Sequence, residues 1–344
     1  MSRATAAKNV LYVRAPVEEV ARRLNLPAPQ IETLLQSAKK KMYAARLERP
    51  TPYVDKTVYS GWNALCISAY LQAARILALD PAQHFALRSL DRILAEAWHA
   101  DGELLHVLAY SDAQAERRRV PGVLDDYAAT VLACLDAYES TADLSYFAFA
   151  RRIADAMLQR FLDPAAGGFF DTSSAAAGEK SLGVLGARRK PFQDSPTPAG
   201  NSLAAIALLR LHTYTNHRNY RDKAEQTIEL LAGVAGQYGL FAATYGIAGV
   251  HLTQPHTQVV VLGSDERAGQ LCRAATAPYA VTKAVLQLAF NEAVPQNLPP
   301  ALADTIPQLP AVKDEKSAAI VCADFSCQPP ISDPETLKRG LQRR

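Results

Sequence analysis

The 344-residue sequence has little that marks a membrane, secreted or metal-binding protein. No apolar run approaches the roughly 20 residues that a membrane helix needs, and the first residues lack the apolar stretch of a secretory signal. The five cysteines are an odd number without a C-x-x-C motif, which argues against a disulfide scaffold and a zinc ribbon. The histidines show no metal-binding spacing. We therefore expect a cytoplasmic protein that uses no metal and no other cofactor.

The common nucleotide and esterase motifs are missing too, since the sequence has no P-loop, no G-x-G-x-x-G after a strand and no G-x-S-x-G.

Charge is uneven along the sequence: residues 1–56 hold 11 Lys and Arg against 5 Asp and Glu, and the remainder holds 26 against 29. Residues 16–41 are spaced like a helix-turn-helix, but Pro27 and Pro29 occupy the turn and Glu32 would face phosphate. Nucleic-acid binding is therefore disfavoured.

What the sequence does contain is a repeated helical hairpin. Three nearly all-apolar helices are predicted to begin at Gly61, Asp125 and Gly200, each after or within a cluster of small and polar residues. Each ends in a short polar turn, and an amphipathic helix follows at 82–98, 144–161 and 219–238. Hairpins of one apolar and one amphipathic helix favour a radial arrangement, with the apolar helices inside.

We therefore predict a mainly α fold, a partial α/α toroid of the six-hairpin glycosidase type with a small strand-containing C-terminal appendage. Residues 1–56 are predicted to be a basic helical linker segment and residues 57–250 the toroid hairpins. Residues 251–344 form the appendage, because β-branched runs at 258–263 and 318–322 are typical of strands. A helical solenoid is the competing arrangement, but common solenoid repeats are shorter.

The candidate catalytic residues lie where the inner helices begin. Asp125 and Asp126 either cap their helix or act as acid and base at the mouth of the central cavity. Asp55, just before the first inner helix, is predicted at the same rim, where two carboxylates across a sugar-sized gap could perform glycosidic chemistry.

Other residues at these helix starts are candidate sugar contacts. Trp62 and Tyr127 either stack on a sugar or pack in the core. Asn63, Asn201 and Ser202 either bond a hydroxylated ligand or cap their helices.

The helix starts also carry the resemblance to a known family. Five motifs occur in the family's order: R-P-T-P-Y-V-D-K-T-V-Y-S-G-W-N-A-L (49–65), L-D-D-Y-A (124–128), F-x-D-x-x-x-G-G-F-F-D-T (161–172), P-x-G-N-S (198–202) and C-x-x-F-x-C-Q-P-P (322–330). The sequence resembles the spermatogenesis-associated protein 20 family of thioredoxin-domain proteins.

The resemblance implies a toroid related to N-acylglucosamine 2-epimerases and a role in carbohydrate metabolism, the latter by fold analogy. Val54 stands in place of the first Asp of the family's D-D-K motif. The positions that match the motifs and carry over as site candidates are Asp55, Lys56, Trp62, Asn63, Asp125, Asp126, Tyr127, Asn201 and Ser202. The family's thioredoxin-like domain and early hairpins have no counterpart in this sequence, so we expect a partial toroid, a gene fragment, or a ring completed by a second chain.

Three hypotheses about function follow. The first is a carbohydrate-active enzyme, a glycoside hydrolase or sugar epimerase. The second is a non-catalytic scaffold or remnant, favoured by Val54. The third is a thioredoxin-linked redox partner that acts through Cys322 and Cys327.

Overall fold

The computed structural model describes residues 12–110, 119–173 and 187–342. The chain divides into two compact units, Met1–Asp55 and Lys56–Arg344. In the first unit the helices α1 (Val17–Leu24) and α2 (Ala28–Leu47) pack against each other. Pro27 and Pro29 flank the start of α2, where a proline costs no helical hydrogen bond.

The second unit contains the helical hairpins and the sheet. Its helices are α3 (Ser60–Leu77), α4 (Asp80–Glu96), α5 (Leu124–Thr141), α6 (Leu144–Phe161), α7 (Gly200–Thr215), α8 (Arg218–Ala235), α9 (Ala243–Thr253), α10 (Glu266–Thr276), α11 (Pro300–Ala303), α12 (Pro310–Lys313) and α13 (Pro334–Gln342). Its strands are β1 (Thr57–Tyr59), β2 (Val107–Ala109), β3 (Thr257–Leu262), β4 (Lys283–Leu288), β5 (Ala318–Ala323) and β6 (Ser326–Cys327).

The three predicted hairpins are α3–α4, α5–α6 and α7–α8. Each first helix ends in a left-handed residue: Ala78, Ala142 and Asn216, with φ of 54°, 60° and 53°. This conformation ends the helix and turns the chain back. The hairpins therefore share one turn geometry, although an alanine in this region is strained.

The first helices of the hairpins form an inner layer. α5 packs against α3 on one side and α7 on the other, and it is buried on nearly all sides. The amphipathic helices α4, α6 and α8 pack outside, each against its own hairpin partner. This arc of hairpins confirms the predicted partial α/α toroid.

The C-terminal part adds a four-stranded sheet to the helical body. The strand order is β4-β3-β5-β6, with β3 parallel to β4 and antiparallel to β5. Alternate residues of β3 face opposite layers: Val260 and Leu262 join the helical core, whereas Val259 and Val261 pack with α10 and α13. Burial on both faces accounts for the continuous β-branched run in the sequence.

One described stretch, Arg218–Thr253, is long and apolar enough to cross a membrane by length and composition alone. Its residues 230–253 contain no Asp, Glu, Lys or Arg, which corrects the expectation that no apolar run approaches the length of a membrane helix. Its backbone is broken at Gly239 (φ 51°, ψ −124°), and both α8 and α9 pack against α7. Only 17% of its most apolar part is buried, unlike a core helix, and a single stretch of this kind is weak evidence for a membrane span.

Candidate active site at the helix rim

The N-termini of α3, α5 and α7 meet at one rim, and two adjacent carboxylates connect them. Asp126 Oδ1 accepts a hydrogen bond from the Gly61 N–H at 2.8 Å, at the start of α3. On the other side, Asp125 accepts a backbone hydrogen bond from Gly200, the first residue of α7. A Cβ on Gly200 would collide with the Asp125 carboxylate. Small residues at these starts therefore let the carboxylates approach the backbone.

Asp126 is a positioning residue. It is buried, and its Oδ2 accepts from the Val123 N–H at 2.9 Å and pairs with His106 Nδ1 at 2.8 Å. Together with the Gly61 contact, both oxygens are engaged by the protein. Of its two predicted roles the structure shows the cap of α5, and the same carboxylate orients the His106 ring. A role of Asp126 as acid or base stays a prediction.

His106 lies in the chain that leads into β2. Its backbone is anchored on both sides, because its N–H donates to Val120 O and its carbonyl accepts from Ser60 N, each at 2.9 Å. The hydrogen bond to Asp126 raises the pKa of His106, and burial opposes that effect. Since Nδ1 faces Asp126, Nε2 is the ring nitrogen left to exchange a proton with a ligand.

Asp125 has a different environment from its neighbour. Burial and the nearby carboxylates Asp126 and Asp171 raise its pKa to about 6. A carboxyl group with such a pKa exists in both protonation states near neutral pH, as a general acid or base requires. The predicted catalytic assignment of Asp125 therefore has a physical basis.

A small pocket of about 50 Å³ opens at this rim. Trp62 stands at its edge with 61% of its surface exposed, and the Tyr59 ring lies 4.8 Å from the Trp62 ring. An exposed indole is a suitable face for stacking on a sugar. The pocket lining comprises Gly61, Trp62, Leu65, His106, Val123, Asp125, Asp126, Thr197, Pro198 and Leu203.

Two predicted sugar contacts are structural instead. Tyr127 is buried, and its hydroxyl accepts from Leu104 N and donates to Gly102 O, so its ring cannot stack on a ligand. Asn201 is buried with both ends of its amide engaged: Oδ1 accepts from Phe169 N, and Nδ2 donates to Phe169 O and Pro191 O. These bonds tie the loops before α7 to its first turn.

The other predicted binding residues differ in position. Ser202 is buried, and its hydroxyl makes no hydrogen bond within the described part of the chain. Asn63 is partly buried and donates to Tyr59 O at 2.9 Å. Lys56 is exposed at the start of the second unit, and the exposed Asp55 ends the first. A shared rim for Asp55 and Asp125 stays a prediction.

Cys322 and Cys327 form a disulfide between β5 and β6. Cys322 lines a second pocket beside Leu209 and Thr213, in the C-terminal half of α7 and not at the rim. The redox role of the pair stays a prediction.

Sequence reasoning missed His106 as a site residue. The usable signal was the position itself: a lone histidine in the connection that precedes the Asp125-Asp126 helix start.

The chain was compared with known proteins, and no family model matches it. Spermatogenesis-associated protein 20 of Homo sapiens is 28% identical over 350 residues, which cover 97% of this chain and 42% of that protein. An uncharacterized protein of Caenorhabditis elegans is 26% identical over 226 residues, 64% of this chain and 29% of that protein. The chain thus spans less than half the length of these relatives.

Among solved structures, a GH76 alpha-mannanase of Bacteroides thetaiotaomicron is similar with a TM-score of 0.44 and 18% identity, over 59% of this chain and 53% of that one. A D-mannose isomerase has a TM-score of 0.34 and 11% identity, over 84% of this chain and 71% of that one. Scores this low carry no argument about activity. The match to human spermatogenesis-associated protein 20 along nearly the whole chain confirms the family resemblance that the five motifs indicated.

Proposed function

We propose that the rim pocket is a carbohydrate-active site, in which His106 and Asp125 exchange protons with a sugar during isomerisation or epimerisation. The observation that carries the proposal is the combination at one pocket of an Asp126-oriented imidazole and a carboxyl with a pKa of about 6. The family resemblance points to the same substrate class by analogy.

The two groups have complementary roles in this reaction. One takes the proton from the carbon next to the sugar carbonyl, while the other protonates the carbonyl oxygen, which produces an enediol. Return of a proton to either carbon, with loss of the hydroxyl proton, completes isomerisation or epimerisation. The pKa of Asp125, about 6, lies in the range where a general acid or base is efficient, and the hydrogen bond to Asp126 raises the pKa of His106. The reaction needs no oxidant, and Trp62 supplies an apolar face for the ring.

Glycoside hydrolysis has weaker support at this pocket. It requires two carboxyl groups about 5–9.5 Å apart on opposite sides of the scissile bond. Of the two carboxylates near Asp125, Asp126 already bonds Gly61, Val123 and His106. The other, Asp171, accepts from Arg189 N and does not line the pocket. Proton transfer by a carboxyl–imidazole pair therefore fits the described residues better.

The test is deuterium exchange into free sugars. A panel of aldohexoses and ketohexoses is incubated with the full chain in D2O, and NMR follows replacement of hydrogen at C1 and C2. We expect exchange with at least one sugar and its loss by 100-fold or more in His106→Gln and in Asp125→Asn. Trp62→Ala should raise KM more than it lowers kcat.

Asp222→Asn is the matched control, because Asp222 is an exposed residue of α8 outside the pocket lining. It should leave the exchange rate unchanged. Exchange that survives in His106→Gln or Asp125→Asn would contradict the assigned roles. Saturable sugar binding without exchange would instead support the non-catalytic alternative.

A further inference from the structure

The inner layer ends at α3 in an apolar face that is exposed among the described residues, with one ring contact between Tyr70 and Phe85 of α4. The buried residues of α3 lie on the side that packs against α5. The opposite side exposes Trp62, Cys66, Tyr70 and Leu77, at helical spacing. The helix has a single charged residue, Arg75, which bonds Glu139 and the Val285 carbonyl. This α3 face therefore has the composition of a helix interface, although it lies in solvent.

The other end of the layer has a similar face on α9. Ala243, Gly246, Ile247 and Val250 are exposed along one side of this helix, which contains no Asp, Glu, Lys or Arg. A Cβ on Gly246 would meet open space. Exposed residues of the preceding 3-10 segment extend this α9 face.

The helices that carry the two faces run in the same direction. Asp194 accepts from Ala199 N through Oδ1 at 2.9 Å, and from Thr244 N through Oδ2 at 2.8 Å. One carboxylate thus holds the starts of both α7 and α9, so α9 continues the inner layer parallel to α7. The layer runs α3, α5, α7, α9 with its two apolar faces at opposite ends.

We propose that these two faces bind each other between copies of this chain, the α3 face of one copy against the α9 face of the next. Such a contact repeats the parallel helix pairing already present at α3–α5, α5–α7 and α7–α9. It also matches shapes, because the α3 face offers bulky side chains such as Trp62 and Tyr70, whereas α9 offers Ala243 and Gly246. A head-to-tail contact of this kind forms a ring where the rotation between copies closes, and the smallest such ring is a dimer.

The arrangement has a consequence for the rim pocket. Trp62 belongs both to the α3 face and to the pocket lining, so the neighbouring copy would border the pocket. The pairing itself does not depend on the proposed sugar chemistry, and it is measured without any substrate.

The test is the mass of the full chain in solution by size-exclusion chromatography with light scattering. We expect twice the 37.3 kDa of a single chain, or a higher whole multiple. Tyr70→Glu on α3 and Ile247→Glu on α9 should each yield monomers. Both side chains are well exposed, at 42% and 40%, so the folded chain should tolerate the change, and circular dichroism checks this.

Mixing the two variants separates this proposal from self-pairing of the α3 faces. The Tyr70→Glu copy keeps its α9 face and the Ile247→Glu copy keeps its α3 face, so together they can rebuild one contact. We expect a heterodimer in the mixture, held by one contact and therefore formed only at higher concentration than the unaltered chain needs. Tyr279→Glu is the control, since Tyr279 is 88% exposed and lies in neither face.

A monomeric unaltered chain would overturn the proposal and would assign the two faces to a different polypeptide. Loss of association in Tyr70→Glu but not in Ile247→Glu would also overturn it. So would a mixture of the two variants that stays monomeric.

Discussion

The two ends of helix α5 carry two acidic pairs with opposite surroundings. At the C-terminal end, Arg210 bonds Asp136 at 2.8 Å and Glu139 at 2.9 Å, and the Tyr214 hydroxyl donates to Glu139. At the N-terminal end, Asp125 and Asp126 are met by backbone N–H groups and by the His106 imidazole. The same helix thus places one acidic pair among guanidinium groups and the other at a pocket.

The difference shows which buried acids hold the fold together and which are available for chemistry. Burial alone would raise the pKa of Glu139, but Arg210 and Arg75 outweigh burial and lower it. At Asp125 the His106 charge and the Gly200 N–H lower the pKa too little to offset burial and the neighbouring carboxylates, and the pKa rises to about 6. Two arginines thus keep Glu139 ionised, whereas at its neighbour Asp136 burial outweighs Arg210 and raises the pKa.

The largest expected effect on stability is at the C-terminal end of α5, where Arg210 pairs with two buried acids. Arg210→Met leaves Asp136 and Glu139 buried without their shared partner, so we expect a loss of about 3–5 kcal/mol in the free energy of unfolding. Urea denaturation at pH 7 measures it. Arg218→Met, which breaks an exposed pair with Asp222 on α8, should cost less than about 1 kcal/mol. Equal losses in the two variants would show that the Arg210 network is not structural.

At the N-terminal end of α5, beside the pocket, we expect a substitution to stabilise the protein. The pKa of Asp125 is raised from 3.8 to about 6, so ionised Asp125 destabilises the fold above pH 6. Asp125→Asn should therefore increase the free energy of unfolding by about 2 kcal/mol at pH 8. The gain should vanish below about pH 4, where the carboxyl is protonated in both folded and unfolded chains. A destabilised variant at pH 8 would contradict the burial argument.

A smaller difference in stability is expected between variants of two neighbouring tyrosines at the C-terminal end of α5. Tyr214→Phe removes a hydrogen bond to the Glu139 carboxylate, and we expect a loss of about 1.5 kcal/mol. Tyr138→Phe is the matched control, because the buried Tyr138 hydroxyl has no hydrogen-bond partner among the described residues. That variant should be neutral or slightly more stable in the same urea denaturation. Similar losses in both would remove the Glu139 contact as the cause.

The smallest effect is on the titration of His106. Asp126→Asn removes the interaction that raises the pKa of His106, so the pKa should fall. Because the folded pKa lies above the unfolded value, this contact stabilises the protein below pH 6.5 and is lost as pH rises through the folded pKa. Imidazole NMR titration of both proteins measures the change, with exposed His84 as an internal reference. An unchanged His106 pKa would contradict the role of Asp126.

The hairpins and the sheet could be predicted because their apolar residues recur with a fixed period. α5 and α7 are apolar all round, and β3 is a β-branched run. Such patterns can be recognised in the sequence regardless of which elements pack against them in the fold. The placement of Asp125 and Asp126 at a rim followed from the same repeats.

The division of roles at the site could not be predicted in this way. Tyr127 and Asn201 lie at helix starts that face the rim, yet their side chains turn inward to bond backbone groups of distant loops. His106 precedes a three-residue strand that has no periodic signal. The direction of a side chain in the first turn of a helix depends on which loops pack beside that turn. The residues next to it in the sequence do not indicate which loops these are.

The sequence by itself determined the elements of this protein, because periodicity records which face of each helix or strand avoids water. Only the tertiary structure decided the difference between Asp125 and Asp126. Their pKa values and hydrogen bonds depend on Gly61, His106 and Gly200, which come from three separate parts of the chain. Electrostatic interactions act through space, so two identical adjacent side chains acquire different chemistry.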